Sequence, residues 1–132
     1  KKNLAKEMVR LYKKEMRDKN ITISRIKKII QKCEKSDYII CICINRSPSK
    51  IIPEWEEIAS VAMAVQNIWL TCASKDIGCY WSSPSYINKI NNFLKLNPNE
   101  KCMGFFYMGH YKHSNIKPPT RISIKEKIEW LS

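Results

Sequence analysis

Pro53-Glu54-Trp55-Glu56-Glu57 opens, Ile77-Gly78-Cys79-Tyr80-Trp81-Ser82-Ser83-Pro84 interrupts and Tyr107-Met108-Gly109 closes the stretch that decides the fold. Between the first two pieces, Ile58, Val61, Ala62, Val65, Ile68, Trp69 and Cys72 recur at three- and four-residue steps. That spacing predicts a helix from Glu54 to about Lys75. Ala59, Ala62, Ala64 and Ala73 keep its surface narrow enough for another helix to approach closely. Such a helix is roughly 33 Å long, enough to cross a domain and bury itself between layers or subunits. Glu54, Glu56 and Glu57 stand at its positive dipole end, and Gly78 is read as its stop. The order helix, glycine turn, strand brings backbone and an aromatic to one junction where a planar ligand could sit.

Elements on either side extend this pattern. Leu4, Met8, Leu11, Tyr12 and Met16 give an amphipathic helix over Asn3 to Met16, ended by Asp18-Lys19-Asn20. Ile26, Ile29 and Ile30 give a shorter one from Ile21 to Gln31, with Ser24 as its N-cap. Asp37 to Asn45 holds a continuous apolar run, Tyr-Ile-Ile-Cys-Ile-Cys-Ile, that reads as a central strand buried on both faces. Arg46 to Pro53, with two prolines and two serines, is a loop. Ser85 to Leu96 reads as another amphipathic helix, broken by Asn97-Pro98-Asn99, and Lys101 to Tyr111 as a second buried strand. Pro118-Pro119 marks an extended connection, Arg121 to Ile124 alternates like an edge strand, and Lys125 to Leu131 closes the chain with a helical turn or two.

At 132 residues and 44% hydrophobic content the chain is one globular domain rather than a disordered segment. Its formal charge of +12 draws it toward anions such as phosphates, nucleic acid or acidic surfaces. Half of the 24 basic residues precede Cys33, at ordinary solvent-facing spacing, and a general Lys, Asn and Ile bias explains much of the excess. No nucleic-acid motif accompanies the charge, so a solvated surface outweighs a nucleic-acid face. No apolar run reaches the ~20 residues that span a bilayer, and no signal-peptide core is present; the expectation is a soluble, cytoplasmic protein. The six cysteines lack C-x-x-C spacing and mostly sit in apolar segments, which reads as buried reduced thiols, with Cys41 and Cys43 on the same side of a strand. His110 and His113 lack companions at metal spacing and read as surface residues, so no metal site is expected. Gln66 and Asn67, on a helix expected to be buried, need structural partners.

Several of these pieces together resemble the flavin-dependent nitroreductase family in its minimal single-domain form. Pro53 to Glu57 followed by Ala62-Met63-Ala64-Val65-Gln66-Asn67 is similar to the start of the family's central helix. Gly78 to Pro84 resembles its turn beside the flavin ring. Asn92-Phe93-Leu94-Lys95-Leu96 and the strand Cys102 to Gly109 resemble the short helix and glycine-ended strand after it. Pro118 to Leu131, with Arg121 and Trp130, is similar to the C-terminal tail. The match covers roughly residues 36 to 132, in the family's order.

The resemblance implies an α+β fold, a mostly antiparallel sheet flanked by helices, with the long central helix at a homodimer interface. It also implies FMN as cofactor, NAD(P)H as electron donor, and small-molecule acceptors such as nitroaromatics and quinones reduced by a ping-pong mechanism. The implied cofactor-binding residues are Tyr80, Trp81, Ser82 and Ser83, whose backbone runs along the ring, and Arg121 as phosphate anchor. Trp81 also reads as a core aromatic and Arg121 as an exposed tail arginine. Lys117 and Lys125 are weaker anchors. A flavin carries the redox chemistry, so no catalytic side chain is assigned. The arginine- and serine-rich opening segment of the family and its Pro-Ser-x-x-Asn-x-Gln-Pro-like loop have no counterpart in residues 1–132. The expectation is therefore a single domain lacking that segment, and a non-catalytic flavin-fold protein stays open as the alternative, a basic nucleic-acid-binding protein less so.

Overall fold

The computed structural model describes residues 1–16, 21–111 and 120–130. The apolar stripes predicted near the start become two helices, α1 (Lys2–Met16) and α2 (Ile23–Lys35), that pack side by side. They are followed by strand β1 (Tyr38–Asn45), helix α3 (Glu54–Ala73), strand β2 (Ile77–Ser82), a 3₁₀ turn (Ile87–Lys89), a short helix α4 (Asn91–Leu94) and strand β3 (Glu100–His110). A second 3₁₀ turn spans Ile124–Glu126. The sheet is antiparallel throughout, in the order β1-β3-β2.

β3 is the middle strand, not β1, and its sequence shows why. Phe105 and Tyr107 enter one core with Met8, Leu11 and Tyr12 of α1 and Cys33 of α2, while Phe106 enters a second core with Ile42 and Val65 of α3. A strand apolar at successive positions has to be covered on both sides. β1 instead lies at an edge among the described strands, and its Tyr38 and Ile40 are exposed. The expected central position of β1 is thus corrected: an apolar run alone does not distinguish the two places.

A bulge interrupts the β1–β3 ladder. Ile42 pairs with Gly104 and Cys43 with Cys102, which leaves Met103 as the extra residue. The bulge inverts the alternation of β3, so that Cys102 joins the core of Phe105 whereas Met103 joins that of Phe106. Cys43 and Cys102 become cross-strand partners with their thiols in contact. Cys41 and Cys43 do face the α1/α2 side. All six cysteines are free; Cys33, Cys72 and Cys102 are buried, but Cys43 is exposed, against expectation.

α3 covers the other face of the sheet. Its acidic first turn is tied to the end of β1 by Arg46, whose Nη1 lies 2.8 Å from Glu54 Oε2 and whose Nε lies 2.5 Å from Glu57 Oε2. Only Val65 and Cys72 of this helix are buried within one chain. Gln66 and Asn67 are exposed, so they need no internal partner. The helix ends at Ala73, before Gly78; the positive φ of the connection, 56°, falls on Asp76. Gly78 lies inside β2 opposite Gly109, where a Cβ would come within 2.9 Å of the Tyr111 ring. The segment read as a turn is therefore mostly strand.

Other boundaries shift for local reasons. Thr22, not Ser24, occupies the N-cap of α2. The helix expected over Ser85 to Leu96 is divided into the 3₁₀ turn and α4, with Ile90 fully buried between them. Arg121 to Ile124 forms no strand. The break read at Asp18-Lys19-Asn20, the Pro118-Pro119 connection, His113, Lys117 and Leu131 fall outside the described residues. No helix among the described residues is long and apolar enough to cross a membrane.

Candidate functional site

β2 ends where the β3 bulge bends its neighbour, and the chain then leaves the sheet through Ser83 and Pro84. Ser83 Oγ donates to the carbonyl of bulged Met103 at 3.2 Å, which fixes the point of departure. Trp81 lies over Gly104: a Cβ on that glycine would stand 2.2 Å from the indole Nε1 and 2.7 Å from the Ser82 carbonyl. Gly104 also has φ +152°, a backbone state that residues with a Cβ rarely adopt. The glycine is thus required twice, by its conformation and by the indole above it.

Alternation along β2 sends Trp81 and Tyr80 to opposite faces. The Trp81 indole packs with Ile42, Val65 and Phe106 under α3. Tyr80 turns the other way and stacks on Tyr107, with ring centroids 6.0 Å apart and planes inclined by 18°. Next to it opens a cavity of about 430 Å³, within the usual size of small-molecule sites. Tyr80, Trp81, Ser82 and Ser83 all line it, so the structure brings four of the five sequence-predicted site residues to one wall. Arg121, the fifth, is exposed and does not line this cavity.

The opposite wall was not anticipated from sequence. Arg25, Lys28 and Lys32 of α2 reach the cavity. Lys32 Nζ lies 3.4 Å from the Tyr80 hydroxyl and 4.8 Å from the centre of its ring. A hydrogen bond with the Ser82 hydroxyl, and then Lys32, hold the Tyr80 phenol below its ordinary pKa despite partial burial. Burial instead pushes Tyr86 up to about 12 and raises Tyr107. A second hollow of about 420 Å³ shares Lys28, Lys32, Tyr80 and Tyr107 with the first and continues toward His110. His110 is held at its far end by Asp37, whose Oδ2 accepts from the His110 backbone N–H at 2.8 Å and lies 2.9 Å from its Nδ1. Among the described residues no group of three potential metal ligands forms. The periodic signal for the α2 wall was present in the spacing 25, 28, 32, but a Lys-rich chain offers many such triplets.

An antiparallel sheet covered by helices on both faces, with an aromatic and cationic cavity of small-molecule size beside the end of β2, defines an α+β fold. The family model described as Nitroreductase matches residues 2–110, and the chain belongs to the nitroreductase family. No curated protein matches it. Among solved structures it is similar to a nitroreductase-like family protein from Bacillus cereus, with 20% identity and a TM-score of 0.63 over 84% of this chain and 62% of that one. It is also similar to a nitroreductase family protein from Streptococcus pneumoniae, with 16% identity and a TM-score of 0.50 over 96% of this chain and 58% of the other. At these identities the likeness is one of fold. The chain spans less than two thirds of the length of either neighbour, at 62% and 58%.

Proposed function

We propose that the protein is an FMN-dependent oxidoreductase that draws electrons from NADH or NADPH and passes them to nitroaromatic, quinone or similar acceptors in alternating half-reactions. The observation that carries this reading is the wall formed by Tyr80, Trp81, Ser82 and Ser83. Among the described residues it lines a cavity furnished with aromatic rings, hydroxyls and cations but no carboxylate, imidazole or thiol. Redox work in such a place belongs to a cofactor, and the donor set suits a planar, phosphate-bearing one. Bound FMN supplies the two-electron chemistry.

The chain's own residues position and exclude. Tyr80 and Tyr107 present apolar surface for a ring, and the segment from Tyr80 to Ser83 lies along one edge of the cavity, held by the Ser83–Met103 bond. Trp81 contributes its backbone there while its indole secures the strand from behind. Arg121 is proposed as a phosphate contact from the tail, since a guanidinium offers a fixed fork of charged donors.

The same reading includes a homodimer with α3 at its interface. Its support is that this apolar helix leaves Trp55, Met63 and Leu70 exposed in a single chain. The protein would work in the cytoplasm, where its six free thiols stay reduced. The test is direct: purified protein is yellow and releases FMN on heating. Protein that stays colourless and fails to take up added FMN overturns the reading.

A further inference from the structure

Arg25, Lys28 and Lys32 follow one another at three- and four-residue steps, so they share one face of α2. Apolar Ile26, Ile29 and Cys33 anchor the helix to the core. The three cations all line the same cavity, and among the described residues no acidic side chain lines it with them. Among the described residues Arg10 pairs with Glu7, Arg46 with Glu54 and Glu57, and Lys89 with Glu15. None of the ion pairs among the described residues involves Arg25, Lys28 or Lys32.

A row of like charges on one helix face is unfavourable without a counter-ion. The expected alternative is a solvated face of a Lys-rich chain. Two features weigh against it. Lys32, though exposed, lies over the Tyr80 ring and within reach of its hydroxyl. The row also confronts a stacked tyrosine pair across the open cavity, which joins a positive potential to an aromatic floor. An anion carrying a flat ring satisfies both halves at once. A phosphate monoester brings a charge of roughly −1.5 to −2 at neutral pH, with several acceptor oxygens for this row of donors.

We infer that Arg25, Lys28 and Lys32 form the main phosphate grip of the cavity, holding the phosphate of the flavin mononucleotide whose ring the Tyr80–Ser83 segment flanks. This rests on the flavin reading above and adds to it the wall that selects the phosphorylated cofactor. It places the principal grip on α2 rather than on Arg121.

The experiment is a fluorescence-quenching titration with FMN and, separately, riboflavin, which has the same ring and no phosphate. Four proteins are compared: wild type, the triple variant Arg25→Gln, Lys28→Gln, Lys32→Gln, the single variant Arg121→Ala, and a control, Lys13→Gln, Lys27→Gln, Lys50→Gln. The control removes three charges from residues that do not line the cavity. Circular dichroism verifies that each is folded. The triple variant is expected to lose FMN affinity by about tenfold or more, as fits the loss of charged hydrogen bonds, with riboflavin affinity unchanged. The control is expected to match wild type. The inference is overturned if the triple variant binds FMN normally or weakens both flavins alike, if the control loses as much, or if Arg121→Ala alone shows the phosphate-selective loss. In each of these cases wild type still binds FMN and the flavin reading survives; wild type that binds neither flavin removes both.

Discussion

The ammonium of Lys32 on α2 reaches across to Tyr80 on β2, 3.4 Å from its hydroxyl and 4.8 Å from its ring centre. This contact joins the helical layer to the strand at the mouth of the cavity and also separates the cavity from the hollow beside it. It makes the Tyr80 phenol a local reporter. Ser82 first, and Lys32 next, favour its ionised form. Ultraviolet titration should therefore show one tyrosine ionising below the ordinary value near 10. Ser82→Ala and Lys32→Met should each move that transition upward. A transition unmoved by both substitutions would show that neither group faces the phenol in solution.

Buried tyrosines predict the opposite behaviour for stability. Tyr86 is pushed up to about 12 by burial, and Tyr107 is raised for the same reason. The unfolded chain then releases these protons first, near pH 10, so stability is full below that pH and falls as pH rises through 12. Thiols act in the same direction from lower pH, desolvation raising the partly buried Cys79 to about 11 and the buried Cys102 to about 12. Tyr80, with its lowered pKa, has the reverse sign but is well exposed and offsets little. Urea unfolding between pH 8 and 12 should show a steady loss, and Tyr86→Phe should make it shallower above pH 10.

Gly104→Ala should cost at least about 2 kcal/mol, because it combines an unfavourable backbone state with a side chain placed against Trp81 and the Ser82 carbonyl. Equilibrium denaturation measures it. Adding Trp81→Phe should recover only part, since the clash with the carbonyl remains. Full stability in Gly104→Ala would mean that the bulge does not hold this conformation.

Phe106 is fully buried and meets Trp69 of α3 edge to face, with centroids 5.6 Å apart. Phe106→Ala should destabilise by about 3–5 kcal/mol and loosen α3 from the sheet. Hydrogen exchange along α3 should then rise before that along α1.

Helix α3 also carries the dimer prediction. Met63 is 63% exposed and Leu70 59% exposed in one chain. A homodimer through this face should dissociate in Met63→Glu and Leu70→Glu, seen as a halved mass in sedimentation. Wild type that sediments as a monomer would remove α3 from any interface of this kind.

How far the sequence carries varies with the physics of each element. α1, α2 and α3 were legible because an amphipathic helix writes its period over many residues. The double burial of β3 was legible in Cys102 to Met108, yet β1 carried a similar run and was misplaced to the centre, since strand order depends on partners far along the chain. Gly78 reads as a helix stop in sequence because glycine usually punctuates; in the structure its missing side chain makes room for Tyr111, and Asp76 takes the positive φ. Tyr80, Trp81, Ser82 and Ser83 came from a family resemblance and do meet at one cavity. Arg25, Lys28 and Lys32 did not stand out among 24 basic residues. Their significance lies in what faces them, which spacing cannot express.

Anaerobic reduction of the FMN-loaded protein tests the central claim most directly. Adding NADH or NADPH should bleach the visible flavin absorbance, and a subsequent nitroaromatic or quinone should restore it, one equivalent per bound flavin. A chain that binds FMN but whose absorbance is unchanged by either donor would contradict the oxidoreductase account and leave a flavin-binding protein of this fold.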